Sequence, residues 1–293
     1  MRTQDAEQNQ NITSSDVLLA NQLLYTAQVG EYDKKNHVQS QAIHRYYRRL
    51  FEQYIFSGLD VFRITQWKAL DIGCGTGFLE GILKDYQVGS IVALDGTLAM
   101  LQAARQKLAN SRTFWLQSDA ARLPFRTESF DLVCLNALLH HVYDYHQVLE
   151  VIVSCLKPGG KLFVGYEPNA IPYKFLRPLL LALAQIAPEQ RKGEIIRKNS
   201  SQDLYPKLRA FDIHKLSEFH IFHGKGIHPY SLQDFLQERG FVNTKLHFTS
   251  LYQVALLRDL GVPIPVDLLP EWLCKLTGRM SLSFSLTSSK APG

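Results

Sequence analysis

Cysteine, methionine and tryptophan are scarce in these 293 residues, at four, three and three. Cys74, Cys134, Cys155 and Cys274 form no C-x-x-C pair, which excludes the usual zinc-ribbon and dithiol redox frameworks. A reducing, cytoplasmic setting is the expectation that follows. Long apolar runs are absent as well. Leu179 to Ala187 is the longest, and it falls well short of the ~20 residues that a bilayer span requires. No basic-then-apolar leader opens the chain, so no targeting segment is expected. No internal repeat or nucleic-acid-binding module is present, and a net charge of +5 is too modest to hold a nucleic acid by itself.

What remains is globular. An apolar fraction of 46% supports a substantial core, and only residues 1–13, rich in Gln and Asn, are expected to be disordered. The positive charge is concentrated. Between Pro168 and His228 stand ten Lys or Arg against five Asp or Glu, which accounts for the whole excess. A solvated helical cap is the plain reading of that segment, and a face that meets an acidic substrate or a membrane surface is the sharper one. The four histidines there, His214, His220, His223 and His228, are irregularly spaced without nearby cysteines or paired acids, so no metal site is expected.

Periodicity divides the chain. Residues 14–65 read as an aromatic-rich N-terminal helical lid, with an amphipathic helix over His44–Phe56. Residues 66–167 alternate short apolar strands with helices, the pattern of a parallel sheet built from βαβ units. Strands are predicted at Lys68–Ile72, Ser90–Asp95, Thr113–Gln117, Phe130–Leu135 and Lys161–Tyr166, with helices at Phe78–Asp85, Leu98–Leu108 and Tyr145–Cys155. Lys157-Pro158-Gly159-Gly160 predicts a tight turn into the fifth strand. Residues 168–228 read as a helical cap over the substrate. Residues 229–293 return to the sheet, with an apolar insertion at 251–280. There Ser231 predicts a helix N-cap, Gly240 its end, Phe241–Ser250 a strand, and the alternation from Ser281 a final half-buried strand. The fold class is therefore α/β: a seven-stranded Rossmann-like sheet, its last strand antiparallel, flanked by helices and carrying helical lid insertions.

The most informative stretch is Leu70-Asp71-Ile72-Gly73-Cys74-Gly75-Thr76-Gly77. Glycines at alternate positions after a strand let a ligand lie on the backbone at the sheet's carboxyl edge. A pyrophosphate loop reads G-x-G-x-x-G, whereas this one reads G-x-G-x-G with an acid two residues ahead. A carboxylate is awkward beside a pyrophosphate and suited to a cation. The charge logic favours S-adenosylmethionine (SAM), which has an ammonium and a sulfonium, over NAD. Asp95, closing the second strand, suits ribose hydroxyls, with Gly96 following as a turn residue. Met100 suits a purine face. Asp119 and the Ala120 N–H, after the third strand, suit an adenine edge, although a simple turn or cap would also place an Asp there.

With Asp95, Asp119, Leu123-Pro124-Phe125, Phe130-Asp131-Leu132-Val133, Leu138-Leu139-His140-His141-Val142 and Leu156-Lys157-Pro158-Gly159-Gly160 in this order, the chain resembles the class I SAM-dependent methyltransferases. It is most similar to the small-molecule branch that includes quinone and sterol methyltransferases. The resemblance implies SAM as donor and S-adenosylhomocysteine as product. It puts Gly73, Cys74, Gly75 and Gly77 along the methionine part and Asp71 near its ammonium. Asn136 and Ala137 would border the sulfonium, and Tyr32, on the N-terminal segment, would fold over the cofactor.

Methyl transfer is an in-line displacement in which positioning and exclusion of water supply most of the rate. His140, His141 and Glu167 are the candidate bases should the acceptor need to lose a proton. Nucleic-acid amino-methyltransferases of this fold carry Asn or Asp, Pro, Pro and an aromatic after the fourth strand, where this chain has Asn136-Ala137-Leu138-Leu139. A small, hydrophobic acceptor, natural-product or lipid-like, methylated on O, N or C, is the resulting expectation. An NAD-linked oxidoreductase and a non-catalytic SAM- or partner-binding module are the rival readings.

Overall fold

In the computed structural model, residues 12–36, 38, 40–108, 112–172, 212–223, 226–249, 281 and 283–293 are described. The expected apolar insertion at 251–280 and most of the cap at 168–228 lie outside them. β1 (Lys68–Ile72), β2 (Ser90–Asp95), β3 (Thr113–Gln117), β4 (Phe130–Asn136) and β5 (Leu156–Pro168) run parallel, in the order 3-2-1-4-5. β7 (Ser283–Lys290) pairs antiparallel with β5, and β6 (Phe241–Thr249) pairs antiparallel with β7 at the edge. The strand order reverses between β1 and β4. Crossovers leave opposite faces there and open a crevice at the carboxyl ends, where ligands of doubly wound sheets bind.

Side-chain alternation along the strands separates two packed layers. Leu70 and Ile72 of β1, Val133 and Leu135 of β4, and Leu162 and Val164 of β5 face a layer containing Val148, Leu149, Ile152, Leu232 and Leu236. Ala69, Leu132, Cys134 and Phe163 face the other layer, with Leu79, Ile82, Ile43, Tyr47, Phe51 and Ile55. Each fully buried side chain of this kind contributes about 1.5–3 kcal/mol.

That second layer changes the reading of the N-terminal segment. Gln41–Leu50 is helical and continues through a π turn at Phe51–Ile55, with Tyr47 and Phe51 fully buried. This half is part of the core. Only the earlier half, the helix Ser14–Gln28 with the turns after it, reaches the cavity. Ordered structure also begins before residue 14. Ile12 is buried, and Thr13 caps the helix through a box with Asp16, their exchange satisfying helix N–H groups that would otherwise lack partners.

Other boundaries move for identifiable reasons. The helix expected to start at Ser231 spans Pro229–Glu238, and His228 is its N-cap, accepting the Ser231 N–H through Nδ1 at 3.3 Å. Proline at the first helical position costs no hydrogen bond, so Pro229 starts the helix. The Lys157–Gly160 turn lies inside β5 as an irregularity, with the register shifting between Phe130 and Leu132 on its neighbour. β7 is buried on both faces rather than one: Phe284 and Leu286 join the first core layer, the Phe51–Ile55 turn lies against the strand, and β5 and β6 pair with its two edges. Its hydroxyls are satisfied internally: Ser283 donates to the Thr249 carbonyl (2.8 Å), and Ser288 bonds Thr244 (2.6 Å).

Candidate functional site

The glycine loop leaves β1 with the Gly73 and Cys74 N–H groups both donating to the Leu94 carbonyl, at 2.7 and 2.9 Å. Gly73 has φ +72°, and a Cβ there would come within 2.8 Å of Leu138 Cδ1. Only glycine meets both demands. Gly77, at φ +87°, is the N-cap of helix Phe78–Asp85, and a Cβ on it would meet Leu108 and Ala104. Its task is close packing against the helix Leu98–Lys107, and it does not line the cavity.

A cavity of about 700 Å³, including its open mouth, lies over the carboxyl ends of β1, β2 and β4. Gly73, Gly75, Asp95, Gly96, Met100, Asp119, Ala120, Asn136, His141 and Tyr32 all line it. Ala137 lines it too, so the fold gathers eleven of the sixteen residues picked out in the sequence. Asp71 and Cys74 line an adjoining space of about 540 Å³ that shares Tyr32, Gly73, Gly75, Asn136 and Ala137. The Cys74 side chain packs with Ala93, Leu101 and Trp115.

Asp95 Oδ2 accepts the Gly75 N–H at 2.9 Å and Oδ1 the Thr97 N–H at 2.7 Å. Burial raises its carboxyl pKa, and those two donors oppose the rise. Asp119 Oδ1 accepts the Ala121 N–H at 2.9 Å, so the turn role coexists with its place in the cavity wall.

Asp71 is almost wholly buried, and its Oδ1 receives no hydrogen bond. Neither oxygen of Glu80, fully buried beside it, receives one either. Two carboxyls so placed can bond each other only through a shared proton. Burial, then the Glu80 charge, pushes Asp71 up, and burial raises Glu80 to about 7. Glu80 carried no sequence signal, since a lone Glu in a first helical turn reads as surface.

After β4 the chain turns sharply through Ala137, at φ +52°, a left-handed conformation that costs a non-glycine residue about 1–3 kcal/mol. Glu167, fully buried, holds the turn. Its Oε1 accepts the Leu138 and Leu139 N–H groups at 2.8 and 2.9 Å. Its Oε2 accepts the His140 N–H at 3.2 Å and lies 2.8 Å from His140 Nδ1. With those four donors it anchors the backbone and does not reach the cavity, so the base role expected of it gives way to a positioning one. His140 is likewise buried away from the cavity. Burial opposes its charge, but Glu167 and Glu218 together hold its imidazole above the ordinary range.

His141 is the one candidate base that borders the cavity. Its Nδ1 lies 2.9 Å from the Ser217 carbonyl, which can only accept, so Nδ1 carries the proton. Nε2 therefore presents a lone pair, which takes the Tyr25 hydroxyl at 3.1 Å. Burial, then the neighbouring His140, depresses His141 to about 4. Its imidazole is neutral at ordinary pH.

The roof was missed in the sequence beyond Tyr32. Leu18, Asn21 and Tyr25 of helix Ser14–Gln28 line the cavity. Asn21 donates to the His141 carbonyl at 2.9 Å and accepts the Ser217 hydroxyl at 2.6 Å. Asp33 binds both the Thr76 hydroxyl and Lys107, tying the segment to the glycine loop. Leu18, Asn21 and Tyr25 recur at helical spacing, but a helix face looks the same whether it covers a cavity or a core.

The cavity suits a ligand with a cation at one end and a nucleoside at the other. Asp71, in the adjoining space, has an Oδ1 that receives no hydrogen bond, and the floor at Gly73 has no room for a side chain. Fold and cavity together define a Rossmann-like enzyme of the class that binds a nucleoside-bearing group donor. The family model for the methyltransferase domain matches residues 70–164. The chain is 31% identical over 175 residues to a demethylmenaquinone methyltransferase of Lactiplantibacillus plantarum, covering 55% of this chain and 70% of that protein. It is 28% identical over 231 residues to a ubiquinone/menaquinone biosynthesis C-methyltransferase of Vibrio parahaemolyticus, covering 74% and 78%. A solved SAM-dependent methyltransferase from Mesorhizobium loti is similar at TM-score 0.48 and 14% identity, over 78% of this chain and 92% of that one. The chain belongs to the class I SAM-dependent methyltransferases, and SAM is its cofactor. Among the described residues no helix is long and apolar enough to cross a membrane.

Proposed function

We propose that this enzyme methylates a small, apolar, oxygen-bearing ring of the hydroquinone or phenol type, on carbon or oxygen. The carrying observation is the composition of one cavity. Its nucleoside end offers Asp95, Met100, Asp119 and Ala120, with Leu18 over Gly96, and its far end offers Leu138, Val142, Tyr25 and His141. That far end is mostly apolar with two hydrogen-bonding groups, which suits a flat ring carrying one or two oxygens. The names of the quinone methyltransferases to which the chain is similar support the same class.

SAM, when bound, supplies an electrophilic methyl group on a sulfonium. The protein's residues supply the geometry. Asp71 faces the ammonium, and Asp95 accepts from the ribose hydroxyls. Met100 covers the purine, while Asp119 and the Ala120 N–H meet its edge. Asn136 and Ala137 border the reacting centre, with Asn136 oriented by the Tyr47 hydroxyl at 2.5 Å. Tyr25 and Tyr32, whose rings meet edge to face at 5.8 Å, exclude water from above. His141 Nε2 takes the acceptor's hydroxyl proton once that hydroxyl displaces Tyr25, and electron density then rises at the oxygen and the adjacent ring carbon.

The test is transfer of labelled methyl from SAM to short-chain naphthohydroquinones and to simple phenols. Labelled product with the hydroquinones, reduced about 100-fold in His141→Ala, is expected. Transfer to polar amines and not to any hydroquinone would overturn the acceptor class.

A further inference from the structure

Beside the acceptor end of the cavity, three side chains from two distant segments converge. His140 and His141 come from the turn after β4, and Glu218 from the junction of helices Ile213–Ser217 and Phe219–Phe222. One ligand atom from each lies within 4.8 Å of the others. His140 Nε2 and Glu218 Oε2 are 3.6 Å apart, too far for a hydrogen bond. That separation matches the ~3.4 Å between two ligands of a tetrahedral ion at ~2.1 Å from each.

The orientation of the rings is more telling than their proximity. Histidines that bind metals donate the far ring N–H to a carboxylate or a backbone carbonyl, which fixes the tautomer and leaves the other nitrogen's lone pair free. Both rings here are held in that way. His140 Nδ1 is against Glu167, at 2.8 Å, and His141 Nδ1 is against the Ser217 carbonyl, at 2.9 Å. Each Nε2 is thereby turned inward. The Tyr25 hydroxyl lies at the same place, 3.1 Å from His141 Nε2 and hydrogen-bonded to Glu218 as well, so an ion entering the site takes the position that this hydroxyl now bridges.

We propose that His140 Nε2, His141 Nε2 and Glu218 bind a divalent transition-metal ion, with a coordination position left toward the cavity. Two imidazoles and one carboxylate suit zinc or iron(II) over magnesium or calcium. His141 borders the cavity, so a position left open on that side would let the ion hold an acceptor oxygen and replace His141 as the group that stabilises its anion. That role rests on the methyl-transfer reading, while the site itself does not.

The test uses the full chain after EDTA treatment and desalting, titrated with Zn²⁺ against a chromophoric chelator and, separately, with Co²⁺. One Zn²⁺ per chain is expected, together with a visible Co²⁺ spectrum of four- or five-coordinate strength. His141→Ala and Glu218→Ala should each weaken Zn²⁺ binding at least 100-fold, while His146→Gln with His223→Gln should bind as the parent does. No stoichiometric uptake at micromolar zinc, or equal affinity in both site variants, overturns the proposal. Should Glu218→Ala fail to fold, the parent's Co²⁺ spectrum decides, because the weak six-coordinate aquo band means no site. Calorimetry of S-adenosylhomocysteine with the metal-free chain reports on the methyltransferase reading separately.

Discussion

Glu167→Gln isolates the device that holds the turn after β4. The substitution keeps shape and volume but replaces one acceptor oxygen with an NH2 group. If the amide oxygen serves Leu138 and Leu139, the NH2 faces the His140 N–H and Nδ1–H, which then lose their acceptor. Each lost bond to a charged acceptor is worth about 1.5–3 kcal/mol, so the gross loss is about 3–6 kcal/mol. Removing a buried charge offsets part of that, and a change of His140 tautomer recovers one of the two bonds. A net loss of about 3 kcal/mol remains. At about 2–4 °C per kcal/mol for a chain approaching this size, the melting temperature should fall by about 6–12 °C. Asn136, Ala137 and Leu138 border the cavity on this same turn, so affinity for S-adenosylhomocysteine should drop about tenfold. Thermal denaturation followed by circular dichroism, with calorimetry at a temperature where both proteins are folded, measures the two effects. A melting change below about 2 °C with unaltered affinity would refute the idea that Glu167 sets the turn.

Gly73→Ala introduces a Cβ 2.8 Å from Leu138 Cδ1 at a positive φ, so cofactor affinity should fall at least tenfold by calorimetry, and an affinity within twofold of the parent would count against the loop as the cofactor floor. Asp95→Ala leaves the Gly75 and Thr97 N–H groups without their acceptor, and S-adenosylhomocysteine binding should weaken about 100-fold, more than methionine binding does. Glu80 sits at about 7 when folded against ~4.3 for an exposed Glu, so the folded chain holds that proton more tightly. The associated stability is full below pH ~4 and is lost as pH rises through about 7. Glu80→Gln should therefore melt above the parent at pH 8 and close to it at pH 4.5, and a pH-independent difference would contradict the shared-proton reading. Tyr25→Phe removes the hydroxyl on His141 Nε2 and should raise the Michaelis constant for the acceptor several-fold with little change in cofactor affinity, which steady-state kinetics with each substrate varied would show.

The sequence alone determined the βαβ core, its glycine loop and the kind of ligand lying on it. Strand and helix periods are local, and the loop's spacing and its acid are written in eight consecutive residues. β1 to β3 and helix Phe78–Asp85 accordingly begin and end where periodicity places them. Tertiary structure alone decided which polar groups do what once assembled. Glu167 became an anchor because three backbone N–H groups separated from it by nearly thirty residues turn toward it. Half of the supposed lid became core because β1, β4 and β5 present an apolar face that residues 41–56 cover. Glu218 met His140 and His141 across more than seventy residues, a convergence no spacing rule encodes. Periodicity reports which side of an element is apolar. What that side touches is set by how the elements pack, and the chemistry of buried titratable groups follows from that contact.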